Sequence, residues 1–215
     1  EITTRLVGSE MCIRDRACRA IKAALDDYPR EDHRHGIIHD CLPTPEGIQI
    51  CRDYHIQMPM QSAFIGWKQE PDDYLEHILG HDRLEKLNPI RTFRDNNIVV
   101  SFGSDAPCTT PDPIAWMDRA VNNDNAGQAV SVQDALRMCT YNGAWAAFDE
   151  QERGSLEAGK IADMAVLSEN PYTVPKDKIK DIRVERLYLS GKSYESCRES
   201  ILPMMLRGLT SRNKA

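Results

Sequence analysis

Three short apolar runs divide the first half of the chain: residues 36–40 (Gly36-Ile37-Ile38-His39-Asp40), 56–60 and 98–102. Runs of this length, rich in β-branched residues and closed by polar or turn-forming ones, predict buried strands. The segments between them read as helices over residues 45–54, 71–79 and 89–94, each with a proline at or near its first turn. Ahead of the first run, Ala17, Ala20, Ile21, Ala24 and Leu25 share one helical face, and Pro29 with Arg30, Glu31 and Asp32 closes that helix. Strands alternating with helices predict βα units around a parallel sheet, joined by right-handed crossovers. Beyond residue 102 the pattern stays helical over 112–121 and from Ser131, a predicted N-cap, through 140 and on to Phe148.

The character changes at Gly154. Residues 154–160 are turn-rich, and 162–167 read as a strand. Residues 182–189 alternate, with Ile182 and Val184 on one side and Arg183, Glu185 and Leu187 on the other, before a hairpin-type turn at Ser190-Gly191. This predicts a small all-β appendage. A last helix, 197–209, should bend at Pro203.

Composition narrows the classes. The chain has 215 residues, 41% hydrophobic and 28% charged, which suits a soluble globular protein. A net charge of −6 argues against nucleic-acid binding, which needs a basic surface. No run approaches the ~18 apolar residues of a membrane span, and residues 1–16 lack the apolar core of a secretory signal. The seven cysteines are odd in number, scattered and without a CxxC, so reduced thiols and a cytoplasmic location are expected. Cys41 and Cys51 are read as small apolar packing groups.

Candidate chemistry sits where the first and third runs end. His39 follows Ile37-Ile38, and Asp105 follows Phe102-Gly103-Ser104. An imidazole and a carboxylate at the C-terminal ends of barrel strands are ligand types for a divalent metal such as zinc. Two strand spacings separate their backbones by about 10 Å, a gap that inward side chains can close. His35 lies roughly 13 Å back along the strand and belongs to the other end. Each residue also has a plainer reading: His39 as a core histidine, Asp105 as a helix cap or a group bonding its own turn. Gln61, Phe64 and Trp67 follow the middle strand, on the rim of such a site, as substrate-binding residues or as a loop packed on the barrel top. His77 and His81 have zinc-site spacing, but Gly80 interrupts them and a solvated face is the better reading.

Arg34-His35-Gly36-Ile37-Ile38-His39, Gly103-Ser104-Asp105-Ala106-Pro107 and Gly154-Ser155-Leu156-Glu157-Ala158-Gly159-Lys160-Ile161-Ala162-Asp163 together resemble the metal-dependent amidohydrolase superfamily, specifically the amidohydrolase 3 type that includes N-substituted formamide deformylases. The resemblance covers about residues 17–195. It implies an α/β fold: a partial TIM barrel, represented by its last three βα units, plus C-terminal strands of a small β-sandwich domain. On this reading residues 17–153 are barrel, 154–195 sandwich and 196–215 a C-terminal helix and tail. Residues 1–16 are expected to be a non-native segment, the other reading being a genuine but divergent N-terminus. Missing are the family's His-x-His after strand one, its bridging residue after strand four and its histidine after strand five. His33-Arg34-His35 follows a charged connector and does not replace the first of these.

The resemblance implies hydrolysis of a carbon–nitrogen bond in a small amide-like molecule. His39 and Asp105 would hold a divalent metal, zinc by donor type, and Asp105 would also carry the proton. As a truncated chain it is expected to be inactive alone, while the full-length protein could form a homo-oligomer. The alternative is a non-catalytic remnant or interaction protein that keeps the half-barrel as scaffold.

Overall fold

The computed structural model describes residues 2–194, with side chains described from Arg14 onward. It is a mixed α/β arrangement. Helix α1 (Ile2–Asp27) continues N-terminally through the segment that precedes the predicted helix start at residue 17. It packs on α2 (Pro45–Asp53), whose N-cap Thr44 accepts the N–H of Gly47 at 3.1 Å and donates its hydroxyl to Asp15.

Strand β1 (Met58–Met60) runs parallel to β2 (Val100–Phe102), in the register Met58 to Val100 and Met60 to Phe102. The predicted first strand at residues 36–40 is reduced to a single parallel bridge between Gly36 and Gln57. The cause is chemical. Gln57 donates to the carbonyl of His35 (2.9 Å) and accepts from Ile37 (3.0 Å), but the next donor on that edge falls at Pro59, which has no N–H. The segment still lies alongside, because His39 N–H reaches the Pro59 carbonyl at 3.4 Å. A parallel sheet is covered on both faces, and accordingly Ile56, Met58, Met60, Ile98 and Val100 are all buried, with Phe93, Met117, Ala120 and Ala135 packed around them.

The helices between and after the strands follow their sequence signals. Asp72–Leu79 (α3) and His81–Leu84 (α4) are separated by Gly80, and Ile90–Asp95 (α5) precedes β2. Asp112 caps α6 (Pro113–Val121) by accepting the N–H groups of Ile114 and Ala115. Ser131 caps α7 (Val132–Cys139) through the Asp134 N–H at 3.0 Å. The long helix predicted from Ser131 breaks at Thr140 (φ −126°, ψ −88°), and α8 (Tyr141–Ala146) begins a new axis. That break lets Asn142 donate to the Val100 carbonyl at 2.7 Å, docking α8 on β2.

Strands β3 (Met164–Leu167), β4 (Val184–Leu189) and β5 (Lys192–Tyr194) form an antiparallel sheet in chain order. Ser190 (φ 51°) and Gly191 (φ 74°) both take left-handed backbone, as a two-residue hairpin of this type requires. The half-buried alternation expected for residues 182–189 is not realised. Ile182 is buried, but Val184 is 51% exposed and Val166 43%, so this sheet presents apolar side chains outward among the described residues. The predicted helix at 197–209 lies outside the described residues.

Arg34, five residues before His39, fixes the start of the first parallel segment. Its guanidinium lies between the rings of Trp145 and Phe148, 4.7 and 4.1 Å from their centroids, and pairs with both oxygens of Glu150 at 2.7 Å. It also donates to the Trp145 carbonyl. The pair holds the Glu150 carboxyl down at about 2. A depressed carboxyl pKa adds stability that is complete above the ordinary value of 4.5 and is lost as pH falls towards 2. Arg34→Met should therefore lower the thermal midpoint at pH 7 more than Arg91→Met, which removes the exposed Arg91–Asp95 pair. The difference between the two variants, followed by calorimetry, should shrink as pH drops below 4.5.

Candidate functional site

His39 and Asp105 leave their segments in the same unusual way. His39 has φ 60° and Asp105 φ 52°, a left-handed region that non-glycine residues seldom occupy and that Asn, Asp and His tolerate best. Each turn is closed locally. Cys41 N–H bonds the His39 carbonyl at 2.8 Å, and Cys108 N–H bonds the Asp105 carbonyl at 2.9 Å. Ahead of Asp105, the Ser104 hydroxyl accepts the Ala106 N–H and its carbonyl accepts the Thr109 hydroxyl.

These turns swing the two side chains towards each other across the end of β1. His39 Nε2 stands 3.6 Å from Asp105 Oδ2, with the side chains 34% and 43% exposed. That separation is too long for a direct hydrogen bond. The Phe64 ring stacks against His39 at 6.0 Å between centroids, and Trp67 follows at 5.0 Å from Phe64. Four of the five residues singled out from sequence thus share one locus. Gln61 lies beneath the rim rather than on it: it is 6% exposed, and its Oε1 is buried without a hydrogen-bond partner. It leads into the 3₁₀ turn Ser62–Phe64, which the Ser62 hydroxyl anchors on the Trp116 carbonyl.

The remaining histidines stay apart from this locus. His33 and His35 stack on each other at 4.7 Å, and His33 Nε2 meets the Tyr54 carbonyl. His33 lies with Asn97, Ile98 and Val99 at the N-terminal end of the strands. His81 is exposed and engaged by Glu76 and Glu85. Among the described residues no group of three or more His, Cys, Asp or Glu side chains is arranged to hold a metal. His39 and Asp105 are a pair.

Sequence reasoning passed over Asp40. It is 1% exposed, its Oδ1 has no hydrogen-bond partner, and burial pushes its carboxyl up to about 6, with Arg14 pulling down and Asp15 pushing up. Its position beside His39 was the available signal. Nothing in the local pattern tells a buried carboxylate from a turn residue.

Residues 11–194 match the amidohydrolase family. The chain belongs to that family. Among curated amidohydrolase relatives, it is 32% identical over 152 residues to the N-substituted formamide deformylase of Arthrobacter pascens, covering 67% of this chain and 26% of the relative. It is 24% identical over 191 residues to the putative amidohydrolase YtcJ of Bacillus subtilis, covering 84% and 36%. The chain thus spans between about a quarter and just over a third of these relatives. Its fold is similar to an uncharacterized metal-dependent hydrolase from Pyrococcus horikoshii (TM-score 0.60, 23% identity, 74% of this chain and 33% of that one). It is also similar to an adenosine deaminase from Xanthomonas campestris solved with bound Zn (TM-score 0.57, 18% identity, 89% and 45%).

The left-handed backbone at His39 makes a prediction for this family member. His39→Asn suits that conformation, whereas His39→Val places a β-branched residue in it at a cost of about 1–3 kcal/mol. Chemical denaturation should rank the valine variant below the asparagine variant by that margin, although position 39 is one-third exposed. Equal stabilities would mean that the turn relaxes.

Proposed function

We propose that this chain is the C-terminal portion of an amidohydrolase that cleaves a carbon–nitrogen bond in a small amide-like molecule. On this reading the three parallel segments are the last three βα units of a TIM barrel, and β3–β5 belong to an accompanying β-sandwich. The observation that carries it is the 3.6 Å approach of His39 Nε2 to Asp105 Oδ2 at the ends of segments flanking β1, in a chain of this family.

The donor set fits a divalent metal in kind and in spacing. Imidazole nitrogen and carboxylate oxygen are zinc ligands at about 2 Å, so two of them on one tetrahedral ion stand roughly 3.3 Å apart. His39 and Asp105 would hold it, supplying two of the three protein ligands that a catalytic zinc uses. Bound there, such an ion would lower the pKa of water towards about 7 and would polarise the scissile carbonyl. Asp105 then takes the proton of the attacking water and returns it to the leaving nitrogen, as general base and afterwards acid. Phe64 braces the His39 ring, and Phe64 with Trp67 provides an apolar wall for the substrate.

The second reading, a non-catalytic scaffold or interaction protein, is favoured by one observation: the described residues supply no third ligand. Two experiments separate the readings. In a full-length protein containing this chain, Asp105→Asn preserves the left-handed turn, should retain metal by elemental analysis, and should lose about 10²–10⁴-fold in turnover of an N-formyl amine. A near-normal rate removes Asp105 as proton carrier. Residues 1–215 alone should hydrolyse no simple N-acyl substrate and bind less than stoichiometric zinc. Tight stoichiometric binding by this chain would show that its own residues complete the site.

A further inference from the structure

The cysteines that the sequence shows as scattered include two that the fold brings together. Cys18 on α1 and Cys51 on α2 are 1% and 0% exposed, and their sulfurs lie 3.5 Å apart across 33 residues of chain. Both are free thiols in the structure. Closing them into a disulfide needs an approach of about 1.5 Å to reach the bonded S–S distance, on a helix pair already in contact. Cys108 is exposed, and the Cys139 thiol donates to the Pro113 carbonyl.

We propose that Cys18 and Cys51 form a redox pair, oxidised by small-molecule disulfides, that bolts α1 to α2 near the His39–Asp40 turn.

The two thiols share an S–H···S contact in which either sulfur can donate. The contact with Cys51 draws the Cys18 thiol below its ordinary range, while Cys18 and burial push the Cys51 thiol up. The sulfur that ionises first is the attacking one, and the contact favours Cys18. Its thiolate attacks one sulfur of the reagent disulfide, forming a mixed disulfide and expelling one thiolate, which takes up the proton Cys18 released. Cys51, losing its proton to solvent, attacks Cys18 Sγ and expels the second thiolate. The protein loses two protons and two electrons, and the reagent gains them as two thiols. Since both sulfurs are closed to solvent, the first attack waits on α1 lifting from α2, a local opening. The bond then suppresses that same opening. Asp40 lies within electrostatic range of both sulfurs, which places the pair near the turn that presents His39.

The test uses the whole chain and glutathione disulfide as reagent. Arg34 and Arg52 bracket Cys41 and Cys51 on a single tryptic peptide, so the mapping is done in a Cys41→Ala background. The expected result is intact mass lower by two hydrogens, a cross-link between the peptides carrying Cys18 and Cys51, slower amide exchange over residues 17–27, and reversal of all three by dithiothreitol. Cys18→Ser and Cys51→Ser should each abolish the cross-link and leave a glutathione adduct at most. Adducts without a cross-link in the Cys41→Ala protein, pairing with a different cysteine, or unchanged exchange in α1 after cross-linking would overturn the proposal.

Discussion

What His39 and Asp105 can do depends on the parallel pairing of three short segments. Neighbouring parallel strands stand about 4.8 Å apart, so residues two strands apart begin about 10 Å from each other. The ladder fixes that distance: Gln57 bonds both His35 and Ile37, Met58 N–H bonds the Val99 carbonyl, and Gly103 N–H bonds the Met60 carbonyl. Beyond the last bonds, each outer segment turns through a left-handed residue. The residues in that conformation are the ones whose side chains meet at 3.6 Å. Pairing sets the separation, and the turns cancel it.

The same ladder explains why the segment leading to His39 is anchored at both of its ends. Pro59 removes one hydrogen bond from the outer edge of β1, so the segment leading to His39 is held by fewer backbone contacts than β2. Side chains make up the deficit. Arg34 clamps the N-terminal end between two aromatic rings and Glu150, and Gln57 donates to the Arg34 carbonyl at 2.6 Å. At the C-terminal end, Asn88 N–H takes the Cys41 carbonyl at 2.7 Å, tying the His39 turn to the start of α5. Single-residue turns carrying functional groups are held in sparsely populated conformations only when their surroundings over-determine them, and these contacts are such surroundings.

Much of this was legible in the chain. The cap at Ser131 announced itself because the preference for Ser there is local hydrogen-bond chemistry; Thr44 and Asp112 cap their helices by the same chemistry. The helices opened by prolines fell within a residue or two of prediction for the same reason. What local pattern could not carry were the tertiary outcomes. A run such as Gly36–Asp40 reads as a strand, yet its ladder depends on a partner's proline twenty residues away. Val184 alternates correctly and is still exposed, because burial depends on what covers the sheet. The site divides likewise. His39, Asp105, Phe64 and Trp67, which gather at one locus, were singled out because polar or aromatic residues after apolar runs are conspicuous. Gln61 moved under the rim through its 3₁₀ turn, and Asp40 was hidden by the absence of any one-dimensional mark for a buried carboxylate.

The left-handed turns also constrain which side chains these positions can exchange. Asn, Asp, His and Gly accept that backbone, and β-branched residues do not. Ile37 and Ile38 can serve the strand because they precede the turn, and the first residue of the turn is of a type that this backbone favours. Within that set only His and Asp combine backbone tolerance with a metal-ligating or proton-carrying group. The conformation that brings the side chains together thus narrows these positions on steric grounds to a set that includes histidine and aspartate, and those two stand there.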